Sequence, residues 1–234
     1  MEMYNSKRQL VNLEGYEYLN EGACARIFKK ENEVFKLYKF DTKYYYYLSK
    51  KMFRAIQRLD LPTIVKLYDY YLYYDDFMSR HLSMDGYDME FVEEDETPVI
   101  DKPTDYLFSV ANRFDYTVEA LTESKILIRD PHYKNIIFGK DKATLIDVDT
   151  YEFCRFTPYE KLKKENQKAI LDLLVSQLIH ELRTDNLDDY LFVSRDLHYL
   201  MPDINKPLKE ILEKMISEST PRKSMDKRKR LLYK

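Results

Sequence analysis

The chain has 234 residues, which is enough for one large domain or two small packed lobes. Hydrophobic residues make up 44% of it and charged residues 34%, as in globular proteins with a core, and the formal net charge of -3 excludes a molecule-wide basic surface for nucleic acid. No apolar run approaches the roughly 20 residues that span a bilayer, and Cys24 and Cys154 lack metal-type spacing. We therefore expect a cytoplasmic protein with two free thiols, no membrane span and no nucleic-acid partner.

The first part of the chain has the pattern of an antiparallel sheet. Apolar and polar residues alternate in short stretches that turn-type residues separate, and this predicts strands at residues 16–20, 25–30 and 34–40. A helical spacing of apolar residues then begins at Asp41-Thr42 and reaches Leu59, just before the breaker Leu61-Pro62. Two further strands, at residues 64–74 and 78–84 with a turn at Asp75-Asp76, complete a predicted five-stranded sheet with one helix.

The remainder of the chain is predicted to be mostly helical. An acidic stretch at residues 93–96 has the composition of a solvated loop. Apolar residues at three- and four-residue steps predict helices at residues 104–121, 161–182 and 207–217. Residues 126–128 form a short apolar entry to a polar loop, and two small strands are predicted at residues 136–138 and 143–146. We expect the two parts to meet near residues 84–88, so the fold class is α+β.

Three polar residues in the second part have a spacing that suits phosphate chemistry. Asp130 is followed five residues later by Asn135, and Asp147 ends a short apolar strand. Carboxylate and amide oxygens are the hard ligands that Mg²⁺ takes, together with oxygens of nucleotide phosphates. An Asp beside a hydroxyl nucleophile can orient it and accept its proton during phosphoryl transfer.

These residues resemble the catalytic loop and metal-binding strand of the protein-kinase superfamily. Upstream, residues 19–29 around Gly22 resemble that family's glycine-rich hairpin, and Lys36 lies where the family has its phosphate-binding lysine. Met84 falls at the family's adenine-binding hinge, and residues 208–215 with Arg222 resemble its closing helix and arginine. The resemblance implies a bilobal fold, with a nucleotide-binding lobe at residues 1–85 and a short, mostly helical catalytic lobe at residues 86–234.

The resemblance also implies a site with defined roles. ATP would bind through Gly22, Lys36 and Met84, with Mg²⁺ held by Asn135 and Asp147. Asp130 would be the catalytic residue that orients the acceptor hydroxyl. The acceptor favoured by the ordered match is a Ser or Thr of a protein.

The chain departs from the family at several positions. Asn20 and Ala25 replace two of the loop glycines, and Ile128 stands where protein kinases carry His. The predicted helix at residues 41–59 contains no Glu, so the usual lysine–glutamate ion pair cannot form from it. Three alternatives remain for Lys36: orientation by Gln57, orientation by an acid from another segment, or no partner.

Other interpretations of the same residues remain open. His132 makes the loop similar to the Asp-x-His-x-x-Asn loop of aminoglycoside and choline kinase-like proteins, which would imply a small-molecule acceptor. The missing Glu and the reduced glycine loop suit a pseudokinase that only binds nucleotide or a partner. In structural terms alone, Asp130 and Asn135 are also typical turn residues, and Asp147 and Lys36 also fit an ordinary strand.

Overall fold

The computed structural model describes residues 3–39, 48–73, 84–181 and 210, and these form an α+β structure. The chain divides into two compact units. The first unit comprises Met1–Glu93 and Leu145–Phe153, and the second comprises Glu94–Thr144 and Cys154–Lys234. The assignment of nucleotide binding to residues 1–85 and of catalysis to residues 86–234 stays a prediction.

An antiparallel sheet forms the body of the first unit, and it has six strands among the described residues rather than the expected five. The additional strand has only three residues, too few for an alternating pattern to be recognised in the sequence. The six strands are β1 (Met3–Asn5), β2 (Glu17–Glu21), β3 (Ala25–Lys30), β4 (Glu33–Tyr38), β5 (Leu67–Tyr73) and β6 (Gly86–Glu90). Their spatial order in the sheet is β1-β5-β6-β4-β3-β2.

The hairpin of β3 and β4 confirms the predicted strands and the turn between them. Glu31 has a φ of 51° at this turn, and the strands pair from Lys30 opposite Glu33 to Ala25 opposite Tyr38. Strand β4 lies inside the sheet, between β3 and β6. Four of its six residues are buried, and Lys36 is one of them at 7% exposure.

Strand β6 is where the structure departs most from the sequence-based expectation. Met84 was predicted to end the fifth strand, but it precedes β6, which spans Gly86–Glu90. Apolar Tyr87 and Met89 alternate with polar Asp88 and Glu90 in β6, so the pattern of a strand is present, although the strand was expected at residues 78–84. A Cβ on Gly86 would lie 2.6 Å from the Lys36 carbonyl oxygen, so only glycine fits this close approach of β6 to β4.

The helix of the first unit is shorter than expected. It spans Lys50–Leu59 as α1, and Ser49 has extended backbone, so the predicted helix does not continue through residue 49. The first part of that prediction, residues 41–47, lies outside the described residues. The Ser49 side chain accepts a hydrogen bond from the Met52 N–H, which caps the helix, and Asp60 ends it in the left-handed region. The buried face of the helix consists of Met52, Phe53 and Ile56.

Two long helices pack together in the second unit, as the periodicity predicted. Helix α2 spans Thr104–Glu123 and helix α3 spans Tyr159–Glu181. Phe114 and Leu121 of α2 and Leu162 and Ile170 of α3 are fully buried. Each such side chain contributes about 1.5–3 kcal/mol by leaving water, which makes this helix pair the core of the unit.

The short strands and the remaining predicted elements complete the description. Strand β8 pairs with β9, which confirms the two predicted strands at these positions. Residues 1–2, 40–47, 74–83, 182–209 and 211–234 lie outside the described residues. The predicted strand at 78–84 falls there except for Met84, as do the turn at Asp75-Asp76, most of the helix at 207–217, and Arg222. None of the helices within the described ranges has an apolar stretch long enough to cross a membrane. The short strands are β7 (Ile126–Leu127), β8 (Ile136–Phe138), β9 (Ala143–Leu145) and β10 (Glu152–Phe153).

Candidate functional site

Lys36 lies at the centre of a cluster of charged residues in the first unit. Its Nζ is 2.9 Å from Asp149 Oδ2 and 3.1 Å from Asp147 Oδ1, and its side chain is only 9% exposed. Burial alone would lower the pKa of Lys36, but the charges of Asp149 and Asp147 outweigh burial and raise it. Lys36 therefore carries a permanent positive charge in a nearly dry position.

The backbone before Asp147 is tied to the first unit, and this places its carboxylate. Leu145 donates its N–H to the Thr63 carbonyl and accepts from the Val65 N–H, each at 2.8 Å. Two residues later, Asp147 Oδ1 accepts from Lys36 Nζ at 3.1 Å and from the Asp149 N–H at 3.2 Å. Within the described part of the chain, Oδ2 of Asp147 has no partner, and the side chain is 34% exposed. One carboxylate oxygen is therefore free to accept a further ligand.

Asp149, which the sequence leaves open as a second metal ligand or as a capping or loop residue, is a buried carboxylate beside Lys36. Its side chain is 5% exposed, and both of its oxygens receive hydrogen bonds. Oδ2 accepts from Lys36, and Oδ1 accepts from the hydroxyls of Tyr38 at 2.9 Å and Tyr87 at 2.8 Å. Burial and then the charge of Asp149 raise the pKa values of Tyr38 and Tyr87 well above their usual range, so both remain hydroxyl donors at neutral pH.

The Gly22 hairpin in the first unit is closed by local interactions. The Gly22 N–H donates to the Ala25 carbonyl at 2.9 Å, and Lys39 Nζ donates to the Gly22 carbonyl at 2.8 Å. Lys39 also forms an ion pair with Glu21 at the end of β2, and Arg26 lies 3.4 Å from the same carboxylate. Two cations, Lys39 and Arg26, thus lie beside the Gly22 hairpin.

The contacts of Gln57 exclude one of the three alternatives for Lys36, and Met84 is a buried residue. Gln57 Nε2 donates to the carbonyls of Leu67 at 3.1 Å and Tyr68 at 2.9 Å, so this amide is held by strand β5 and does not orient Lys36. Met84 is 1% exposed and is followed by Asp85, whose N–H donates to the Tyr71 carbonyl at 2.9 Å. Its role in adenine binding stays a prediction.

The second unit contains the loop with Asp130 and Asn135. Asp130 is exposed and has a φ of 52°, in the left-handed region, where strained residues often have a functional reason. Asn135 Nδ2 donates to the Asp130 carbonyl at 2.9 Å and closes the loop. Among the described residues the amide oxygen of Asn135 has no partner. His132 Nδ1 accepts from the Lys134 N–H at 3.2 Å, so its ring takes part in a hydrogen bond within the loop.

A buried asparagine supports the strand before this loop. Asn166 of α3 is 0% exposed, and its Oδ1 accepts from the Ile128 N–H at 2.9 Å. Its Nδ2 donates to the Ile126 carbonyl at 2.9 Å and to Thr122 Oγ1 at 3.2 Å. The only sequence signal for Asn166 was a polar residue among the apolar positions of a predicted helix.

The donors present fit a single Mg²⁺ ion as the resemblance implies. One positive and two negative charges leave the Lys36, Asp147 and Asp149 cluster with a net charge of -1. Mg²⁺ commonly takes only one or two protein carboxylates and completes its shell with phosphate and water. The described residues contain no group of three or more His, Cys, Asp or Glu arranged to hold a metal. Within the Lys36 cluster, Asp147 is the carboxylate that has a free oxygen.

Comparisons with known proteins do not assign this chain to a family. No protein-family model matches the chain, and no curated protein matches it. A solved structure with some similarity is the kinase PK-1 of Cydia pomonella granulovirus, at 14% sequence identity and a TM-score of 0.43. The match covers 60% of this chain and 56% of that chain, so this chain spans little more than half of the viral structure. At this identity and score the likeness carries no weight, and the roles below rest on the residues of this chain.

Proposed function

We propose that the chain is an ATP-dependent phosphotransferase that moves the γ-phosphate to a hydroxyl group. The observation that carries this proposal is the buried Lys36, held between Asp147 and Asp149, with one Asp147 oxygen left free. A permanent cation and an open carboxylate oxygen side by side suit phosphate and its metal. A sheet needs neither group at this position for its stability, because a buried ion pair is weak support for a fold.

Each residue of the proposed site has a distinct task. Lys36 neutralises phosphate charge. The Gly22 N–H already donates to the Ala25 carbonyl, so the hairpin would contact the phosphates through its other backbone N–H groups. Mg²⁺, when bound, would screen the negative charge that develops on the transferred phosphoryl group. Asn135 and Asp147 are proposed as its ligands on the basis of the sequence motif and of their unpartnered oxygens.

Asp130 is proposed to orient the acceptor hydroxyl and to accept its proton. The hydrogen bond from Asn135 to the Asp130 carbonyl fixes the loop, and the left-handed backbone of Asp130 projects an exposed carboxylate. Positioning of this kind accounts for much of the catalysis in phosphoryl transfer. The proposed acceptor is Ser or Thr of a protein, with a small hydroxylated molecule as the alternative.

A nucleotide-binding module without transfer activity is the second candidate function. The observation that favours it is the Gly22 hairpin, where Glu21 and the Lys39 ammonium already satisfy groups that would face phosphate in an active enzyme. The exposed Asp130 has no task in such a module. We therefore rank the phosphotransferase first.

Thermal unfolding with ATP, with and without Mg²⁺, tests the proposal together with an ATP-consumption assay. The assay would contain pools of Ser/Thr peptides and small aminoalcohols as acceptors. A ligand at about 100 times its Kd stabilises the native state by about 2.7 kcal/mol, which corresponds to a shift of several degrees. We expect a Mg²⁺-dependent shift and turnover that Asp147→Asn abolishes.

Asp141→Asn is the matched control for that experiment, because Asp141 is exposed in the turn before β9 and has no role in the proposed site. It should retain the wild-type shift and turnover. Stabilisation without turnover for any acceptor would favour the binding module. The absence of any nucleotide-dependent shift would contradict both functions.

A further inference from the structure

Helix α1 offers no acid to hold Lys36. Its sequence from Lys50 to Leu59 contains no Asp or Glu, and the side chain of Gln57 is engaged by strand β5. A lysine ammonium on a flexible four-carbon stem does not hold one position without partners. The protein therefore needs another way to keep Lys36 Nζ pointed at the site.

Asp149 meets this need by its contacts. It lies closer to Lys36 Nζ than Asp147 does, at 2.9 Å against 3.1 Å, and it is far more buried, with a side chain 5% exposed against 34%. Charge-assisted hydrogen bonds are strongest where water is excluded. Of the two carboxylates, Asp149 therefore makes the stronger bond to Lys36.

Two tyrosines hold the Asp149 carboxylate in place. The hydroxyls of Tyr38 and Tyr87 both donate to Oδ1, so neither carboxylate oxygen is left for a metal ion. The Tyr38 hydroxyl also accepts from the Leu48 N–H at 3.2 Å, directly before the Ser49 cap of helix α1. The ring of Tyr87 packs edge-on against Phe53 of α1 at 6.1 Å.

We propose that Asp149, fixed by the hydroxyls of Tyr38 and Tyr87, is the positioning residue for Lys36 and takes the place of a helix carboxylate. The two acids of the Asp147-Val148-Asp149 segment then have separate tasks: Asp147 serves the metal and Asp149 serves the lysine. The buried Val148, at 0% exposure, lies between them and anchors the segment in the core. The functional part of this inference rests on the proposed nucleotide chemistry, whereas the pairing itself does not.

The proposal has a consequence for regulation. In this arrangement the partner of Lys36 comes from the same short segment as the proposed metal ligand Asp147. Assembly of the site therefore requires no inward movement of a helix that carries an acid. The site is expected to be constitutively assembled, with Tyr38 linking it to the start of α1.

A double-mutant cycle tests the pairing without any ligand. Urea midpoints would be measured for wild type, Lys36→Met, Asp149→Asn and the double variant, and the same set would be measured with Asp147→Asn in place of Asp149→Asn. If Asp149 holds Lys36, the double variant loses much less than the sum of the two single losses. The Asp147 cycle should be closer to additive because Asp147 is more exposed. An additive Asp149 cycle would overturn the proposal.

Nucleotide binding tests the positioning role separately. The affinity for ATP without metal would be measured, followed by the Mg²⁺ concentration that gives half-maximal stabilisation in the presence of ATP. We expect Asp149→Asn to weaken metal-free ATP binding about tenfold, because Lys36 loses the charge-assisted contact that holds it in place. The Mg²⁺ requirement should stay unchanged. Asp147→Asn should raise the Mg²⁺ requirement instead. A raised Mg²⁺ requirement for Asp149→Asn would show that Asp149 is a metal ligand and would contradict the proposal.

The double-mutant cycle and the nucleotide-binding measurement distinguish a failure of this inference from a failure of the proposed function. If the wild type binds no ATP, the proposed function fails, and the double-mutant cycle alone decides whether Asp149 holds Lys36. If Asp149→Asn does not fold, Tyr87→Phe is measured in its place, because this variant removes a single hydrogen-bond donor to Asp149. Tyr151→Phe is its control, since Tyr151 is buried in the first unit and its hydroxyl forms no hydrogen bond among the described residues. Tyr87→Phe should weaken ATP binding about threefold, and equal affinities in the two variants would contradict the proposal.

Discussion

The burial of Lys36 is unusual for its residue type. Lysine is almost never fully buried unless it is paired, because taking an ammonium out of water costs several kcal/mol. In this protein two carboxylates within 3.1 Å offset that cost. An apolar residue would avoid the cost altogether on an interior strand, and this is the reason for assigning Lys36 a chemical task in the proposed function.

Asp130→Ala is expected to abolish phosphoryl transfer while leaving ATP binding unchanged. Asp130 is exposed, and the hydrogen bond that closes its loop uses its backbone carbonyl, which alanine retains. The variant therefore loses the proposed proton acceptor without losing the loop. Turnover and ATP affinity, measured side by side with Asp141→Ala, check this. Undiminished turnover in Asp130→Ala would refute the role of its carboxylate.

At the scale of the elements, the approach of β6 to β4 determines where Lys36 lies. Gly86→Ala would place a methyl group 2.6 Å from the Lys36 carbonyl oxygen, a contact with backbone that cannot rotate away. We expect a loss of about 1–3 kcal/mol in the free energy of unfolding, and weaker ATP binding because strand β4 must shift. Denaturant unfolding and ATP titration measure the two effects.

Gly22→Ala is the control for that substitution. A Cβ on Gly22 meets nothing closer than 3.9 Å, and the residue is not in the positive-φ region. The free energy of unfolding should stay within about 0.5 kcal/mol of wild type. If Gly86→Ala were as stable as Gly22→Ala, the close strand packing described above would be incorrect.

Helix α3 supports the strand before the Asp130 loop through a single side chain. Asn166→Ala would leave the Ile128 N–H, the Ile126 carbonyl and Thr122 Oγ1 without their buried partner. Unsatisfied buried groups cost about 1–3 kcal/mol each, so we expect a total loss of roughly 3 kcal/mol or more. Thermal unfolding checks this against Asn112→Ala, which changes an exposed position on α2. Similar melting temperatures for the two variants would contradict the bridging role.

At the scale of the whole molecule, the free energy of unfolding should depend on pH through Asp88. Asp88 of β6 is 8% exposed; its Oδ2 accepts from the Tyr71 hydroxyl, and its Oδ1 is buried without a partner. Burial raises the pKa of Asp88 to about 7; the Tyr71 bond opposes this shift, and the negative charges of Glu33 and Asp69 add to it. The nearby Tyr16 is neutral at these pH values, because burial and the charge of Asp88 raise its pKa.

The raised pKa sets the direction of the pH effect. Between pH 4 and 7 the folded protein binds a proton at Asp88 that the unfolded chain has released, so the free energy of unfolding falls as pH rises through this window. Above pH 7 both states are deprotonated and the contribution is constant. Asp88→Asn removes the charge, and we expect this variant to be more stable than wild type at pH 8 by roughly 2–4 kcal/mol, with little difference at pH 4.

Urea unfolding at several pH values measures this dependence. Asp141→Asn makes the same chemical change at an exposed turn and should follow the wild-type curve. A wild-type curve without a decline between pH 4 and 7 would show that the Asp88 carboxylate is not confined as described. The same experiment gives the pH at which nucleotide binding is best measured.

The parts of this protein that could be predicted from the sequence are those that local patterns specify. The β3–β4 hairpin follows from alternation and a turn at Glu31-Asn32, and helices α2 and α3 follow from apolar spacing over several turns. The Asp130, Asn135 and Asp147 motif likewise lies within a short stretch of chain. In each case the residues that decide the outcome are neighbours in sequence.

Tertiary structure alone decided the partner of Lys36 and the position of β6. The contact between Lys36 and Asp147 joins residues 111 apart in sequence, and Asp149 is reached only through the same long-range approach. Strand β6 alternates apolar Tyr87 and Met89 with polar Asp88 and Glu90, but its place between β5 and β4 and the burial of Asp88 depend on pairing with strands that are distant in sequence. The energy of pairing between distant segments depends on which groups folding brings into contact and removes from water. A linear pattern of residue types does not contain that information.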